Sequence, residues 1–176
     1  MKEAAGDGAV IPSFNDMVVK ACALALREFP TANGAFRDGS LELYSRINIG
    51  VAVAADDALV VPVIADADRL GLAGIATATR GLAAKVREGT VTPPELSGGT
   101  FTVSNLGMFG VTDFNAVVNP GQAAILAVGS IEDRPAVRNG TLVPAKLMGM
   151  TLSCDHRILY GAVGAAFLAR VKSLLE

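Results

Sequence analysis

The sequence predicts an α+β domain, in which three helices and about five or six strands share one core. Apolar residues recur at helical spacing after Ser13, Val and Ile alternate over 47–54, and Asn139-Gly140 is a strong signal for a type I′ hairpin turn. Helices and strands do not alternate regularly, which argues against a Rossmann fold. The 176 residues fit one domain, which we assign to 1–176.

Three segments have the features of helices. Ser13 can cap the first, and Asp16 lies three residues later, where a carboxylate favours a helix N-terminus. Pro30 ends this helix, and a turn is predicted at Asn33-Gly34. The other two helices are predicted over 71–88, closed by Gly89, and from Gly161 onward.

Two neighbouring segments are predicted to form a hairpin. They cover 47–54 and 59–64, with a turn at Asp56-Asp57 between them. Pro62 lies inside the second strand, which restricts that strand to a sheet edge or marks a bulge. Further strands are predicted over 100–103, 123–130 and 146–154, with a loop over 105–110 and a hairpin turn between Val137 and Leu142.

The composition argues against several classes of partner. The chain has 15 Lys and Arg against 17 Asp and Glu and a pI near 5.4, so it lacks the basic surface that nucleic acid requires. No apolar run reaches the roughly 18 residues of a membrane-spanning helix. Cys22 and Cys154 lack metal-ligand spacing, so we expect two reduced thiols, no metal and a reducing compartment.

His156 is the single histidine and the first candidate for chemistry. It ends a predicted strand just before a helix, where functional side chains are common, although a lone histidine there is more often structural. Asp155 and Arg157 would point to the opposite face of the strand, and we expect them to form a structural salt bridge. Ser104 follows another strand and could donate to an oxyanion, although a turn-forming role is commoner there.

A hydrolytic triad is not indicated. The Gly-x-Ser-x-Gly elbow is absent, and no Asp is placed by sequence to orient His156. The residues alone therefore lead to a soluble α+β domain with one histidine-centred candidate site.

Five blocks of sequence resemble one enzyme family. Residues 155–162, Asp-His-Arg-Ile-Leu-Tyr-Gly-Ala, resemble the DHRxxDGA signature of the acyltransferase (E2) domains of 2-oxo acid dehydrogenase complexes, a relative of the HxxxD signature of chloramphenicol acetyltransferase. Similar blocks occur in the family's order at 13–16, 98–107, 119–122 and 150–153. Together they cover nearly the whole chain, and members from pyruvate dehydrogenase complexes are the most similar.

The resemblance implies a fold and a reaction. The fold is the chloramphenicol acetyltransferase-like two-layer fold, with helices on one face of a mixed sheet and the active site between subunits of a homotrimer. The reaction is direct transfer of an acyl group between dihydrolipoamide and coenzyme A, with His156 as the general base and Ser104 as the oxyanion donor. Acetyl is favoured, and succinyl and branched-chain groups stay open. The residues implied to support the site are Asp155, Arg157, Asn105 and Gly161.

The resemblance also implies partners. The trimer could build a larger hollow core that binds E1 and E3 components, and a separate lipoyl domain would supply the lipoyl group. We expect a catalytic domain truncated at both ends, without lipoyl and E1/E3-binding domains, so the size of the core stays open.

Position 160 departs from the family signature, because Tyr160 stands where Asp or Asn is common. Its phenol could donate a hydrogen bond instead, and we count it among the catalytic residues. A Tyr before Gly-Ala resembles plastid and cyanobacterial members. This implies the chloroplast stroma, with the mitochondrial matrix or the bacterial cytoplasm as alternatives.

Two other functions stay open. A structural core component would assemble without transferring acyl groups; Tyr160 and the short ends favour it, whereas His156 and Ser104 argue against it. A free-standing acyltransferase for small amines or alcohols is disfavoured by the block at 98–107, which is more similar to E2.

Overall fold

Three helices accompany a five-stranded sheet in the computed structural model, which describes residues 10–55 and 58–176. The helices are α1 (Phe14–Glu28), α2 (Leu72–Arg87) and α3 (Gly161–Leu175). The strands, in chain order, are β1 (Gly34–Arg37), β2 (Ser40–Leu43), β3 (Ile49–Val51), β4 (Val53–Ala55), β5 (Ala58–Val60), β6 (Val63–Ile64), β7 (Phe101–Asn105), β8 (Ala124–Arg138) and β9 (Thr141–Cys154). Short 3-10 helices lie at Pro30–Ala32, Pro93–Leu96 and Gly107–Phe109.

Helix α1 begins where the sequence predicts. The Asp16 amide donates to Ser13 Oγ at 3.2 Å, and the Ser13 amide donates to Asp16 Oδ2 at 2.7 Å, which completes a capping box. The helix ends at Glu28, just before Pro30. Since α2 and α3 also cover the spans predicted for them, all three predicted helices are confirmed.

The central sheet is mixed. Its strand order is β6-β3-β7-β8-β9, with β7 parallel to both β3 and β8 and antiparallel pairs at the two edges. Phe101, Val103 and Leu126 of the inner strands are fully buried. The Phe167 ring of α3 packs against that of Phe101 with 5.5 Å between centroids, so a helix covers this part of the sheet. The predicted α+β class is confirmed.

Strands β8 and β9 form a hairpin that is longer than the sequence predicts. Pairing runs from Ala124 opposite Cys154 to the turn at Asn139-Gly140, with a bulge after Val128. Both turn residues have positive φ, 52° and 77°, as a type I′ turn requires, so this turn is confirmed. Beyond the bulge most side chains are exposed, and therefore no apolar alternation marks the outer half of either strand.

The hairpin predicted over 47–64 is present but divided. Strands β3 and β6 pair within the central sheet, whereas β4 and β5 form a separate two-stranded sheet. Pro62 lies between β5 and β6, and its carbonyl accepts from the Val51 amide at 2.9 Å, which fits the predicted interruption. The turn predicted at Asp56-Asp57 lies outside the described residues.

A further hairpin, formed by β1 and β2, is not among the sequence-based predictions. The chain bends at Asn33, but Gly34 already begins β1, and the tight reversal lies at Asp38-Gly39, with φ values of 50° and 80°. Asn33 instead anchors the base of the hairpin, because its buried amide donates to the carbonyl oxygens of Tyr44 and Arg46, each at 2.9 Å.

Candidate functional site

His156 lies on a tight turn between β9 and α3. The Asp155 amide donates to the Ala123 carbonyl at 2.8 Å, and the Asp155 carbonyl accepts from the amides of Ile158 and Leu159 at 3.1 and 2.9 Å. The side chains of Ile158 and Leu159 are buried. The backbone on both sides of His156 is therefore fixed, while His156 itself is exposed in the single chain.

Asp155 and Arg157 form the predicted ion pair. Arg157 Nη2 donates to Asp155 Oδ2 at 2.6 Å, and Arg157 Nε donates to Asp155 Oδ1 at 2.9 Å. This guanidinium holds the pKa of the Asp155 carboxyl below its ordinary value of 3.8. Because β9 ends at Cys154, the residues around His156 occupy a turn and not the alternating strand faces that the sequence predicts.

The Arg157 guanidinium has a second contact, which the sequence does not reveal. Its central carbon lies 4.8 Å from the centroid of the Phe36 ring on β1. This distance is within the range of a cation–π interaction. The turn that carries His156 is therefore connected to the β1–β2 hairpin.

Tyr160 lies next to His156. The two rings meet edge to face, with 5.4 Å between centroids and 70° between planes, and Tyr160 is 59% exposed. It occupies the N-cap position of α3, which begins at Gly161. A Cβ added to Gly161 would meet nothing within 4 Å, so nothing in the described chain requires glycine there.

Ser104 lies near the C-terminal end of β7 and is half-buried. The side chain of the neighbouring Asn105 makes two hydrogen bonds. Its Nδ2 donates to Asn15 Oδ1 at 3.0 Å, and its Oδ1 accepts from the backbone amide of Gly107 at 2.8 Å. A Cβ on Gly107 would lie only 2.7 Å from the Gly129 carbonyl oxygen, so glycine is required where this loop crosses the β8 bulge. The backbone after Ser104 is thus fixed by neutral amides and close packing.

The strand register separates the two candidates. Ser104 is level with Ala127 and Thr151, whereas Cys154, just before the His156 turn, is level with Ala124. At about 3.3 Å per residue and about 4.8 Å per strand, the Cα atoms of Ser104 and Cys154 are about 14 Å apart. The turn that carries His156 begins at this far point, so the register places His156 and Ser104 near opposite ends of β7.

Each candidate lies beside a groove. Phe36, Val117 and Asp155 line the groove at the His156 end. Residues that line the groove at the Ser104 end include Phe14, Asn15, Asn105, Met108 and Ile131. Large apolar side chains are exposed beside both, with Val117 88% and Met108 81% exposed, and such surface is typical of contact sites.

A buried polar network fixes the segment that walls the His156 groove. Thr102 Oγ1 donates to Gln122 Oε1 at 2.8 Å, and Asn119 Nδ2 donates to Thr102 Oγ1 at 3.0 Å. Gln122 Nε2 donates to the Gly99 carbonyl at 3.1 Å. The family resemblance includes both segments, 98–107 and 119–122, but the sequence does not indicate that their side chains are hydrogen-bonded to each other.

Cys22 is buried and Cys154 is partly buried, and both are free cysteines. Burial raises the pKa of both the Cys22 and the Cys154 thiols, which disfavours the nucleophilic thiolate. Within residues 10–55 and 58–176, no three His, Cys, Asp or Glu side chains are grouped as a metal site would require. In the same part of the chain, no helix combines the length and apolarity needed to span a membrane.

Comparison with known sequences identifies the family. The family model for 2-oxoacid dehydrogenases acyltransferase (catalytic domain) matches residues 1–176. One relative is dihydrolipoyllysine-residue acetyltransferase component 3 of the mitochondrial pyruvate dehydrogenase complex of Arabidopsis thaliana. It is 49% identical over 178 residues, which cover 99% of this chain and 33% of the relative. The corresponding Rickettsia bellii component is 44% identical over 164 residues, covering 93% and 39%. The chain belongs to this acyltransferase catalytic-domain family, and it spans two fifths or less of the length of these relatives.

Solved structures have the same fold. One is Azotobacter vinelandii dihydrolipoamide acetyltransferase, investigated for the role of a serine, a histidine and an asparagine in its catalytic mechanism; it gives a TM-score of 0.91 at 33% identity, covering 94% of this chain and 69% of that one. The cubic core of the pyruvate dehydrogenase multienzyme complex gives 0.91 at 34% identity, covering 99% and 71%. Chloramphenicol acetyltransferase, at 16% identity, gives 0.57 over 93% and 78% and shares the fold alone. The expected chloramphenicol acetyltransferase-like fold is confirmed.

Proposed function

We propose that this domain transfers an acetyl group between dihydrolipoamide and coenzyme A, as the catalytic core of the E2 component of a pyruvate dehydrogenase complex. One observation carries the assignment to particular residues. The serine and the histidine investigated in the Azotobacter enzyme stand at the same spacing along the chain as Ser104 and His156 do here. The relatives named above support acetyl as the acyl group and dihydrolipoyllysine as its carrier.

The proposed mechanism uses His156 as a general base. A coenzyme A thiol resembles a free cysteine, with a pKa of about 8.5, and is mostly protonated at neutral pH. The neutral imidazole takes the thiol proton as sulfur attacks the thioester carbonyl. Collapse of the tetrahedral intermediate breaks the original carbon–sulfur bond, and the imidazolium returns the proton to the departing thiolate. The enzyme needs neither a covalent intermediate nor a metal for this exchange.

Ser104 is proposed to stabilise the tetrahedral intermediate. Its hydroxyl donates to the oxyanion that forms when the carbonyl is attacked. The support around Asn105 suits this role, because an oxyanion donor must be held in place before the charge develops.

The complete site is proposed to form between two subunits of a homotrimer, with His156 from one and Ser104 from its neighbour. The register separation within one chain and the exposed apolar side chains beside both residues support this arrangement. Residues 1–176 form the single catalytic domain in this proposal, and trimers could build a larger hollow core, as the cubic core among the structural neighbours suggests. E1, E3 and a separate lipoyl domain are the proposed partners.

Tyr160 is proposed to take the place of an asparagine. In the Azotobacter enzyme the investigated asparagine follows the histidine at the spacing by which Tyr160 follows His156. The phenol of Tyr160 would supply the polar group there, and its ring would hold the imidazole. The chloroplast stroma is the location proposed from Tyr160; because the relatives named above are mitochondrial and bacterial, the mitochondrial matrix and bacterial cytoplasm are the alternatives.

The test is acetyl transfer from acetyl-CoA to dihydrolipoamide, measured with the parent and with mixed variants. We expect the parent to be active and His156→Ala and Ser104→Ala each to be nearly inactive. Unfolding and reassembling the two variants together should restore part of the activity, because some interfaces would then combine an intact His156 with an intact Ser104. A folded, inactive parent would favour the structural-core alternative, and a failure to complement would contradict the shared site.

A further inference from the structure

The β1–β2 hairpin is a separate two-stranded sheet that contacts the His156 turn. One contact is the Phe36 ring beneath the Arg157 guanidinium. The other is at the base of β1, where a Cβ on Gly34 would lie 3.0 Å from Ile158 Cδ1, so that the backbone of Gly34 packs closely on Ile158. The hairpin therefore touches the turn at two successive residues, the exposed side chain of Arg157 and the buried side chain of Ile158.

A third contact connects the hairpin to another segment that lines the groove. The Tyr44 hydroxyl, just beyond β2, donates to the Gly121 carbonyl at 2.9 Å. Gly121 belongs to the segment that the Thr102 and Gln122 side chains fix. The hairpin thus has a defined position relative to the groove beside His156, although no strand pairing joins it to the central sheet.

Arg157 connects the β1–β2 hairpin to the turn that carries His156. Its guanidinium donates to Asp155, and its backbone amide donates to Asp155 Oδ1 at 3.1 Å, so the guanidinium and the backbone around His156 share one acceptor. The Arg157 side chain is 64% exposed, which leaves many alternative rotamers open to it. In the rotamer of the structure, the guanidinium lies against the Phe36 ring while it donates to both Asp155 oxygens.

We propose that Phe36 is a positioning residue for His156, acting through Arg157 and Asp155. The proposal rests on the proposed acyl-transfer function, in which the imidazole must meet a thiol brought by the substrate. In this role Phe36 acts on the turn and not on the reacting atoms. Its ring restricts the guanidinium, the guanidinium restricts the Asp155 carboxylate, and the turn therefore presents the imidazole in one orientation.

The test compares Phe36→Leu, which keeps apolar bulk but removes the π face, with Phe36→Tyr, which keeps the face. An exposed cation–π contact corresponds to about a two- to fivefold effect. We expect kcat to fall by about that factor in Phe36→Leu, with KM for coenzyme A unchanged, and to return in Phe36→Tyr. Arg157→Met should lower kcat as well, and the double variant Phe36→Leu with Arg157→Met should be no worse than Arg157→Met alone.

A matched control is provided by Arg170, whose guanidinium forms a two-nitrogen pair with Glu28 on another part of the surface. Arg170→Met removes a comparable ion pair without contact to the groove, and we expect kcat to be unchanged. Equal kcat in parent and Phe36→Leu would overturn the proposal. So would a lowered melting temperature in Phe36→Leu with unchanged kcat, since that result would make the hairpin contact purely structural.

A second readout does not depend on activity. The chain contains one histidine, so isotope-labelled histidine gives a single imidazole signal in the nuclear magnetic resonance spectrum. We expect a sharp signal in the parent and in Phe36→Tyr, and a shifted or exchange-broadened one in Phe36→Leu. If the parent transfers no acetyl group, the proposed function fails while this signal still decides whether Phe36 positions His156. An identical signal in all three proteins would refute the positioning role.

Discussion

The two ends of the central sheet carry the two proposed catalytic groups and support them differently. At one end, His156 lies on an exposed turn that carries the Asp155–Arg157 ion pair, and the guanidinium of this pair lies against the Phe36 ring. At the other end, Ser104 lies within a strand, and the neutral amide of Asn105 fixes the backbone that follows. A charged, solvent-exposed support thus contrasts with a neutral one that is part of the fold.

This difference matches the roles proposed for the two residues, His156 as proton carrier and Ser104 as oxyanion donor. A general base must move a proton and meet a thiol, so an exposed turn with a restrained side chain suits it. An oxyanion donor should not reorganise during the reaction, so a half-buried strand end suits it. Loss of support should therefore affect the His156 end through pH and charge, and the Ser104 end through packing and hydrogen bonding.

The largest effect is expected for His156→Ala. Removing the general base should lower kcat by roughly 10²–10⁴-fold, because no other group described at this end takes the thiol proton. The exposed imidazole contributes little to packing, so the melting temperature and the oligomeric state should match those of the parent. Steady-state kinetics and light scattering test both points, and retention of full activity would exclude His156 as the base.

Ser104→Ala is expected to have the next largest effect. Loss of one oxyanion donor should lower kcat by about 10²–10³-fold, with little change in KM because the oxyanion exists only after attack. Ser104→Thr, which keeps a hydroxyl, is the matched control and should retain more activity than alanine. An equal loss in both variants would indicate that shape at this strand end, and not hydrogen bonding, matters.

Tyr160→Phe should cause a modest loss. If the phenol supplies one hydrogen bond near the intermediate, kcat should fall by at most about tenfold, since such a bond is worth about 0.5–1.5 kcal/mol. The edge-to-face contact with His156 is kept by phenylalanine, so the variant isolates the hydroxyl. Tyr160→Leu removes the ring as well, and a larger loss there would assign the remaining effect to orientation of the imidazole.

The comparison also shows what the sequence could predict. The α1 capping box and the turn at Asn139-Gly140 depend on residues that are close in the chain, and both predictions are confirmed. The family resemblance over 98–107 and 155–162 indicated Ser104 and His156 as site residues. The register of β7, β8 and β9 then showed that these two residues lie far apart along the sheet.

Long-range contacts and weakly patterned strands escaped prediction. Strands β1 and β2 are four residues each, and most side chains of β2 are exposed, so the pair shows little alternation of apolar and polar residues. Asp38-Gly39 was nevertheless an available turn signal. Phe36 meets Arg157 only because the chain folds back across the turn, and no local pattern relates two residues so far apart. The outer half of the β8–β9 hairpin was missed because exposure on both faces removes the apolar period.

Asn105→Ala should destabilise the Ser104 end. The substitution leaves the Gly107 amide and the Asn15 side chain without their partner, which should lower the free energy of unfolding by about 1–3 kcal/mol. Urea unfolding measures this loss. Because no titratable group takes part in these two hydrogen bonds, the difference from the parent should be the same at neutral and at acid pH.

Asp155→Asn should have the smallest effect on stability, and this effect should depend on pH, unlike that of Asn105→Ala. Pairing with Arg157 holds the pKa of the Asp155 carboxyl below 3.8, so the folded state binds its proton more weakly than the unfolded state. The stabilisation is therefore fully present above pH 3.8 and is lost as the pH falls through the depressed value. We expect the variant to unfold at lower urea than the parent at neutral pH, and the difference to shrink toward zero in acid, unlike that of Asn105→Ala. A difference that stayed constant with pH would mean that the His156 turn is held by packing of Ile158 and Leu159, and that charge contributes no more at this end of the sheet than at the other.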